Sequence, residues 1–85
     1  MKHAGPRTLA ALAPLRRRLS EQPSLVERTP GCFYLKAVAF LHFHEDPTGT
    51  YADVKLAGVE FTRLRSTTKK EQSRLLALVT RKLRR

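Results

Sequence analysis

Cysteine occurs once in the 85 residues, at Cys32, so no intrachain disulfide can form and no multi-cysteine metal cage can be built. A lone thiol suits a reducing compartment, and a cytoplasmic location is expected. Cys32 opens the apolar run Cys-Phe-Tyr-Leu with no histidine near it in sequence. Packing is its expected role, because a nucleophilic thiol needs a neighbouring base to depress its pKa. Long apolar runs are missing as well. LAALAP, near the N-terminus, is shorter than a signal-peptide core and far below the ~20 residues that span a bilayer, so neither secretion nor membrane insertion is expected. No Ser/His/Asp ordering, phosphate-cradling glycine loop or paired-carboxylate spacing is visible. The chain therefore reads as non-enzymatic, with no cofactor expected. Acidic residues are scarce, with 7 Asp+Glu against 17 Lys+Arg and a formal net charge of +10.

What is present belongs to one small globular domain over residues 1–85, with the ends 1–7 and 84–85 expected to be flexible. A chain of this length buries roughly 60% of its unfolded surface, which excludes a two-domain or large-cleft enzyme. Leu12, Leu15 and Leu19 recur at helical spacing and predict an N-terminal helix. Pro14 means that this helix either starts near Ala13 or is kinked there, and Gln22-Pro23 ends it. CFYLK, AVAFLHFHE, TYADVKL and VEFTRLR read as strands, the second and third joined through DPTG as a hairpin. Thr68-Lys69-Lys70-Glu71 has the spacing of a capping box and starts a C-terminal helix whose apolar arc holds Leu75, Leu76, Val79 and Leu83. The expected fold is α+β: a two-layer domain with a three- to four-stranded antiparallel sheet and an N-terminal and a C-terminal helix on one face.

The hairpin's register can be inferred from its apolar parity. Pairing Phe43 with Ala52, Leu41 with Val54 and Ala39 with Leu56 puts six apolar residues on the core face. His44 then stands opposite Tyr51, His42 opposite Asp53 and Phe40 opposite Lys55 on the other face. His42, His44 and Asp53 offer three donors of the kind zinc or non-haem iron accepts. The same pattern also admits a structural cross-strand pair or a proton-transfer pair. If His42 and Asp53 are neighbours, the carboxylate is expected to favour the imidazolium and raise the His42 pKa above about 6.5.

The charge is unevenly spread. Nine bases and one acid, Glu71, lie between Arg63 and Arg85, and Arg16-Arg17-Arg18 adds a cluster, while the segment from Ala37 to Phe61 holds only Lys55 against four acids. A cationic helical layer over a neutral to acidic sheet is the footprint of a polyanion binder. It also suits a solvated surface, or an anionic membrane face met by the basic C-terminal helix.

The segments LSEQPSLVERTPG, FYLKAVAFLHFHEDPTGTYADVKL and TTKKEQSRLLALV, with Pro23, Glu27, Gly31, Phe40, Gln72 and Leu75, resemble over residues 9–80 the MmcQ/YjbR-like and luciferase-like domains of unknown function. That resemblance implies an α+β fold with a curved antiparallel sheet and, as suggested for some YjbR-like members, DNA binding. Two functional expectations follow. One is nucleic-acid binding through Arg63, Arg65, Lys69, Lys70, Arg74 and Arg81. The other is protein, small-ligand or metal binding on the open sheet face around Phe40, His42, His44, Tyr51 and Asp53. In either case the protein is expected to be a monomer or weak homodimer.

Overall fold

In the computed structural model, which describes residues 1–84, the chain runs β1 (Lys2–His3), α1 (Pro6–Ala11), α2 (Ala13–Ser20), β2 (Leu25–Thr29), β3 (Cys32–Leu35), β4 (Val38–Asp46), β5 (Gly49–Ala57), β6 (Glu60–Arg65) and α3 (Lys69–Leu83). The strands form one antiparallel sheet in the order β2-β3-β4-β5-β6, with β1 paired to the far end of β4. The sheet therefore has six strands where the pattern predicts three or four, and there are three helices where it predicts two. Both unpredicted strands are short edge pieces. β1 has two residues, inside a segment expected to be flexible, and β2 is a five-residue strand, LVERT, with a register shift at Arg28. β1 is too short to show a period-2 pattern, and β2 carries Glu27 and Arg28 in place of the aromatic residues that mark β3. The expected flexibility of residues 84–85 is not tested at Arg85, which lies outside the described residues.

Pro14 divides the N-terminal helix. Leu12 leaves helical geometry at φ −89° and ψ 4°, and Pro14 falls in the first turn of α2, where its missing N–H costs nothing. The core then forms on one face of the sheet. Leu12, Leu15 and Leu19 meet Leu75 and Val79 of α3 over Phe33, Leu41, Phe43, Ala52 and Val54, all buried in a single cluster. Phe33 and Phe43 meet edge to face with ring centroids 6.5 Å apart. No described helix is long and apolar enough to cross a membrane.

The hairpin has the register that parity predicts: Leu41 faces Val54, His42 faces Asp53, Phe43 faces Ala52 and His44 faces Tyr51. Its ladder continues to Asp46 and Gly49, leaving a two-residue loop in place of the four residues expected. Asp46 closes that loop by accepting from the Thr48 N–H at 2.8 Å. Toward the start of β4 the expected parity fails. Leu41 pairs with Phe33 but Ala39 pairs with Tyr34, so Phe40 is an inserted residue, a β-bulge that turns its ring into the core at 2% exposure.

β3 and β4 are joined by Lys36 and Ala37, both at positive φ (52° and 69°), the pair of values a type I′ turn needs. Residues with a Cβ hold that conformation at roughly 1–2 kcal/mol each. Ala37→Gly is therefore expected to raise unfolding stability by about 1 kcal/mol in urea titration. The capping box gives the opposite expectation. Thr68 Oγ1 accepts from the Glu71 N–H at 3.1 Å and the Glu71 carboxylate accepts from the Thr68 N–H at 3.0 Å. Thr68→Ala should lower stability by about 1 kcal/mol with an unchanged denaturant slope.

Candidate metal centre

Residues two apart on a strand share a face, so the even positions of β4 bring His42 and His44 together on the side away from the helices. β1 adds a third imidazole. His3 stands directly opposite His44 in the β1–β4 ladder, and potential ligand atoms of His3, His42 and His44 all lie within 4.8 Å of one another. Ring centroids are 4.6 Å apart for His42 and His44, 4.7 Å for His3 and His44, and 5.8 Å for His3 and His42. Phe61 closes one side, with its ring centroid 4.7 Å from that of His42.

Glu45 holds β1 where His3 can reach. Its carboxylate accepts from the Gly5 N–H at 2.7 Å and from the Thr8 hydroxyl, tying the start of α1 to β4. These bonds keep the Glu45 carboxyl below its ordinary pKa, the Thr8 hydroxyl being the larger cause. The stretch HFHED thus divides its work. His42 and His44 enter the cluster, Phe43 enters the core, Glu45 anchors the N-terminal segment and Asp46 closes the hairpin.

Asp53 belongs to the cluster's support. Arg63, its partner across the β5–β6 ladder, donates from Nε and Nη2 to the two carboxylate oxygens, each at 2.7 Å. That bidentate bond holds the Asp53 carboxyl below its ordinary pKa. Asp53 Oδ2 also sits 3.3 Å from His44 Nε2. A carboxylate behind an imidazole is the arrangement that orients histidines at metal sites.

The electrostatics reverse one expectation. The pKa values of His42 and His44 are both lowered, with burial the largest cause. For His42 the neighbouring imidazole of His44 adds to the effect, and Asp53 opposes it without prevailing. His42 Nδ1 and His44 Nε2 are in hydrogen-bonding contact, so at most one of the two can carry the shared proton. His44 is only 8% exposed, and its Nδ1 is buried with no hydrogen-bond partner. An imidazole kept neutral, with one nitrogen beside a carboxylate and the other unpartnered, is poised as a ligand.

The other anticipated residues disperse. Phe40 lies in the core through its bulge and does not face the open side. Tyr51 sits at the hairpin tip, its hydroxyl 2.8 Å from Thr48 Oγ1. Arg65 is bound by the Glu71 carboxylate at 2.9 and 3.0 Å, and with the Thr68 N–H, the larger cause, it brings Glu71 down to about 2. Arg63 and Arg65 are thus committed to carboxylates, whereas Lys69, Lys70, Arg74 and Arg81 stand exposed on α3. Cys32 is half-buried opposite His42 in the β3–β4 ladder, a placement its sequence neighbours do not show. His3 is the residue that sequence reasoning overlooked. The available signal was that it is the chain's only remaining histidine.

Comparisons with protein-family models, curated proteins and solved structures find no match to this chain, and nothing in them links it to the MmcQ/YjbR-like or luciferase-like domains.

A histidine that is neutral when folded but protonates when unfolded makes the unfolded state bind more protons. The stability that His42 and His44 contribute in this way is therefore present above about pH 6.5 and lost as pH falls below it. In chelator-treated protein, urea unfolding should show stability falling from pH 7.5 to 5.5. NMR midpoints of His42 and His44 should both lie below 6.5. Asp53→Asn removes an anion that opposes the shift and should move both midpoints lower still.

Proposed function

We propose that this protein is a small transition-metal-binding module whose ligands are His3, His42 and His44. The observation that carries this reading is the cluster itself, three imidazoles whose potential ligand atoms all lie within 4.8 Å of one another, with His44 buried among them. The Nδ1 of His44, buried and without a hydrogen-bond partner, calls for an explanation, and a ligand position is one that fits three clustered imidazoles. Three neutral nitrogens suit zinc and its neighbours among the divalent ions, which imidazole binds at about 2.0–2.1 Å. Asp53 serves as the group behind His44, and Arg63 locks Asp53 in that position. The ligand set thus exchanges the Asp53 of the sequence pattern for His3. Three imidazoles leave a fourth position, where a bound ion would act as a Lewis acid toward water or a small donor.

Potential donor nitrogens of the three histidines lie within 4.8 Å of one another, and His3, on an exposed two-residue strand, is the ligand free to adjust to a coordination sphere. Binding would then also stabilise the pairing of β1 with β4. With free ion at 100 times Kd, the fold gains about 2.7 kcal/mol. Isothermal titration of chelator-treated protein with zinc should show one ion per chain and a raised melting temperature. His3→Ala, His42→Ala and His44→Ala should each abolish both signals, while Asp53→Asn weakens affinity about 10- to 100-fold. The decisive variant is His3→Ala, which removes an exposed side chain with little consequence for folding. Wild-type affinity in that variant, or no zinc response in the parent protein, would overturn the proposal.

A further inference from the structure

The outer face of α3 carries Lys70, Arg74, Ala77 and Arg81 and continues to Arg84 at its C-cap, all exposed. At 100° per residue these five positions fall within an arc of about 80°, directly opposite Leu75 and Val79 in the core. Four cations thus form a ridge about 21 Å long at 1.5 Å per residue. Beside it runs a groove between α2 and α3. One stretch of about 540 Å³ is lined by Arg18, Ser73, Thr80, Arg81 and Arg84, and an adjoining stretch of about 340 Å³ adds Lys69 and Gln72.

The chain's seven acids are placed almost entirely elsewhere. Glu27 binds Arg16, Asp53 binds Arg63, Glu71 binds Arg65, Glu45 binds Gly5 and Thr8, Asp46 binds Thr48, and Glu60 lies on β6. Glu21 approaches the groove through an exposed 3.4 Å pair with Arg18, and Glu71, held by Arg65, lines a small pocket beside Arg74. No described carboxylate lies within ion-pair distance of Lys70, Arg74, Arg81 or Arg84.

We infer that the α3 ridge and the α2–α3 groove bind the phosphate backbone of duplex DNA, with Arg18, Lys70, Arg74, Arg81 and Arg84 as the phosphate-contacting residues. This goes beyond the metal site and does not depend on it. All six aromatic side chains lie on the sheet strands and none on a helix, so the helical layer has no platform on which the bases of a single strand could stack. The apolar arc of α3 is consumed by the core, which leaves nothing to insert into a lipid surface. A convex helical ridge fits the ~12 Å major groove of B-form DNA, whereas the narrow major groove of an A-form duplex does not admit it. Ser73 and Thr80 add hydroxyls that can donate to phosphate oxygens.

The test is fluorescence anisotropy of a labelled 20-base-pair DNA duplex with the full chain in the presence of chelator, which removes any contribution from the metal site. Binding should weaken with salt along a log–log slope of about −4.5, the value for five neutralised phosphates. Arg81→Glu and Arg84→Glu should each weaken binding at least about tenfold and flatten that slope. Lys55→Glu makes the same charge change on the sheet, where Lys55 lies over the Phe61 ring, and should weaken binding less than about threefold. Equal losses for Lys55→Glu and Arg81→Glu would overturn the assignment by showing a diffuse charge effect. So would equal or tighter binding of single-stranded DNA or an RNA duplex, or binding only to vesicles of anionic lipid.

Discussion

Everything else in this molecule depends on the register of one hairpin. Because Leu41 faces Val54 and Phe43 faces Ala52, alternate residues of β4 and β5 enter one buried cluster, and the residues between them must point the other way. A slip of one residue would exchange the two sets, sending His42, His44 and Asp53 under the helices and the apolar set into water. The charge of the buried groups, and not only the apolar gain, makes that slip prohibitive. The same register that builds the core therefore assembles the imidazole cluster. Fold and site are two faces of one set of pairings.

The divide continues into the electrostatics. On the sheet face Asp53 pairs with Arg63 across the ladder and Arg65 with Glu71 at the start of α3, while Lys55 lies over the Phe61 ring. On the helical face they are mostly unpaired, since α3 has an acid in its first turn and none beyond it. A net charge of +10 is thus a property of one layer more than of the whole molecule. Its self-repulsion is tolerable because the cations stand on an exposed ridge, where water and salt screen them.

How much of this was legible in the sequence follows from what each element depends on. The hairpin and the capping box are local, and residues a few positions apart specify them, so parity and spacing revealed both. The bulge at Phe40 was hidden because AVAF is apolar at every position and carries no parity to read. β2 pairs with the adjacent β3 but carries Glu27 and Arg28 where a readable strand is apolar, while β1 has two residues and depends on β4, distant in the chain. His3 was missed for that same reason. The fate of the cations was also non-local, since nothing in the order of residues 63–71 says that Arg63 will meet Asp53 or that Arg65 will reach back to Glu71. Burial was the last hidden quantity. A cross-strand carboxylate argues for a raised histidine pKa, but the desolvation produced by packing three imidazoles together with Phe61 acts in the opposite sense and prevails.

The N-terminal strand shows how the site and the fold constrain each other. β1 pairs only two residues with β4, and the Glu45 carboxylate supplements that short ladder by capturing the Gly5 N–H and the Thr8 hydroxyl. Such a piece has little apolar area to bury, so its order rests on polar bonds that are individually worth about 1 kcal/mol net. Local opening of β1 is therefore among the least costly motions of the molecule. When it opens, His3 leaves the cluster while His42 and His44 stay fixed on β4, and the three-nitrogen set falls to two. The imidazole most easily withdrawn is thus the one held by the weakest element. In the proposed metal site, coordination would be limited by how firmly Glu45 holds the β1 segment, which places control of the site in a residue that supplies no ligand.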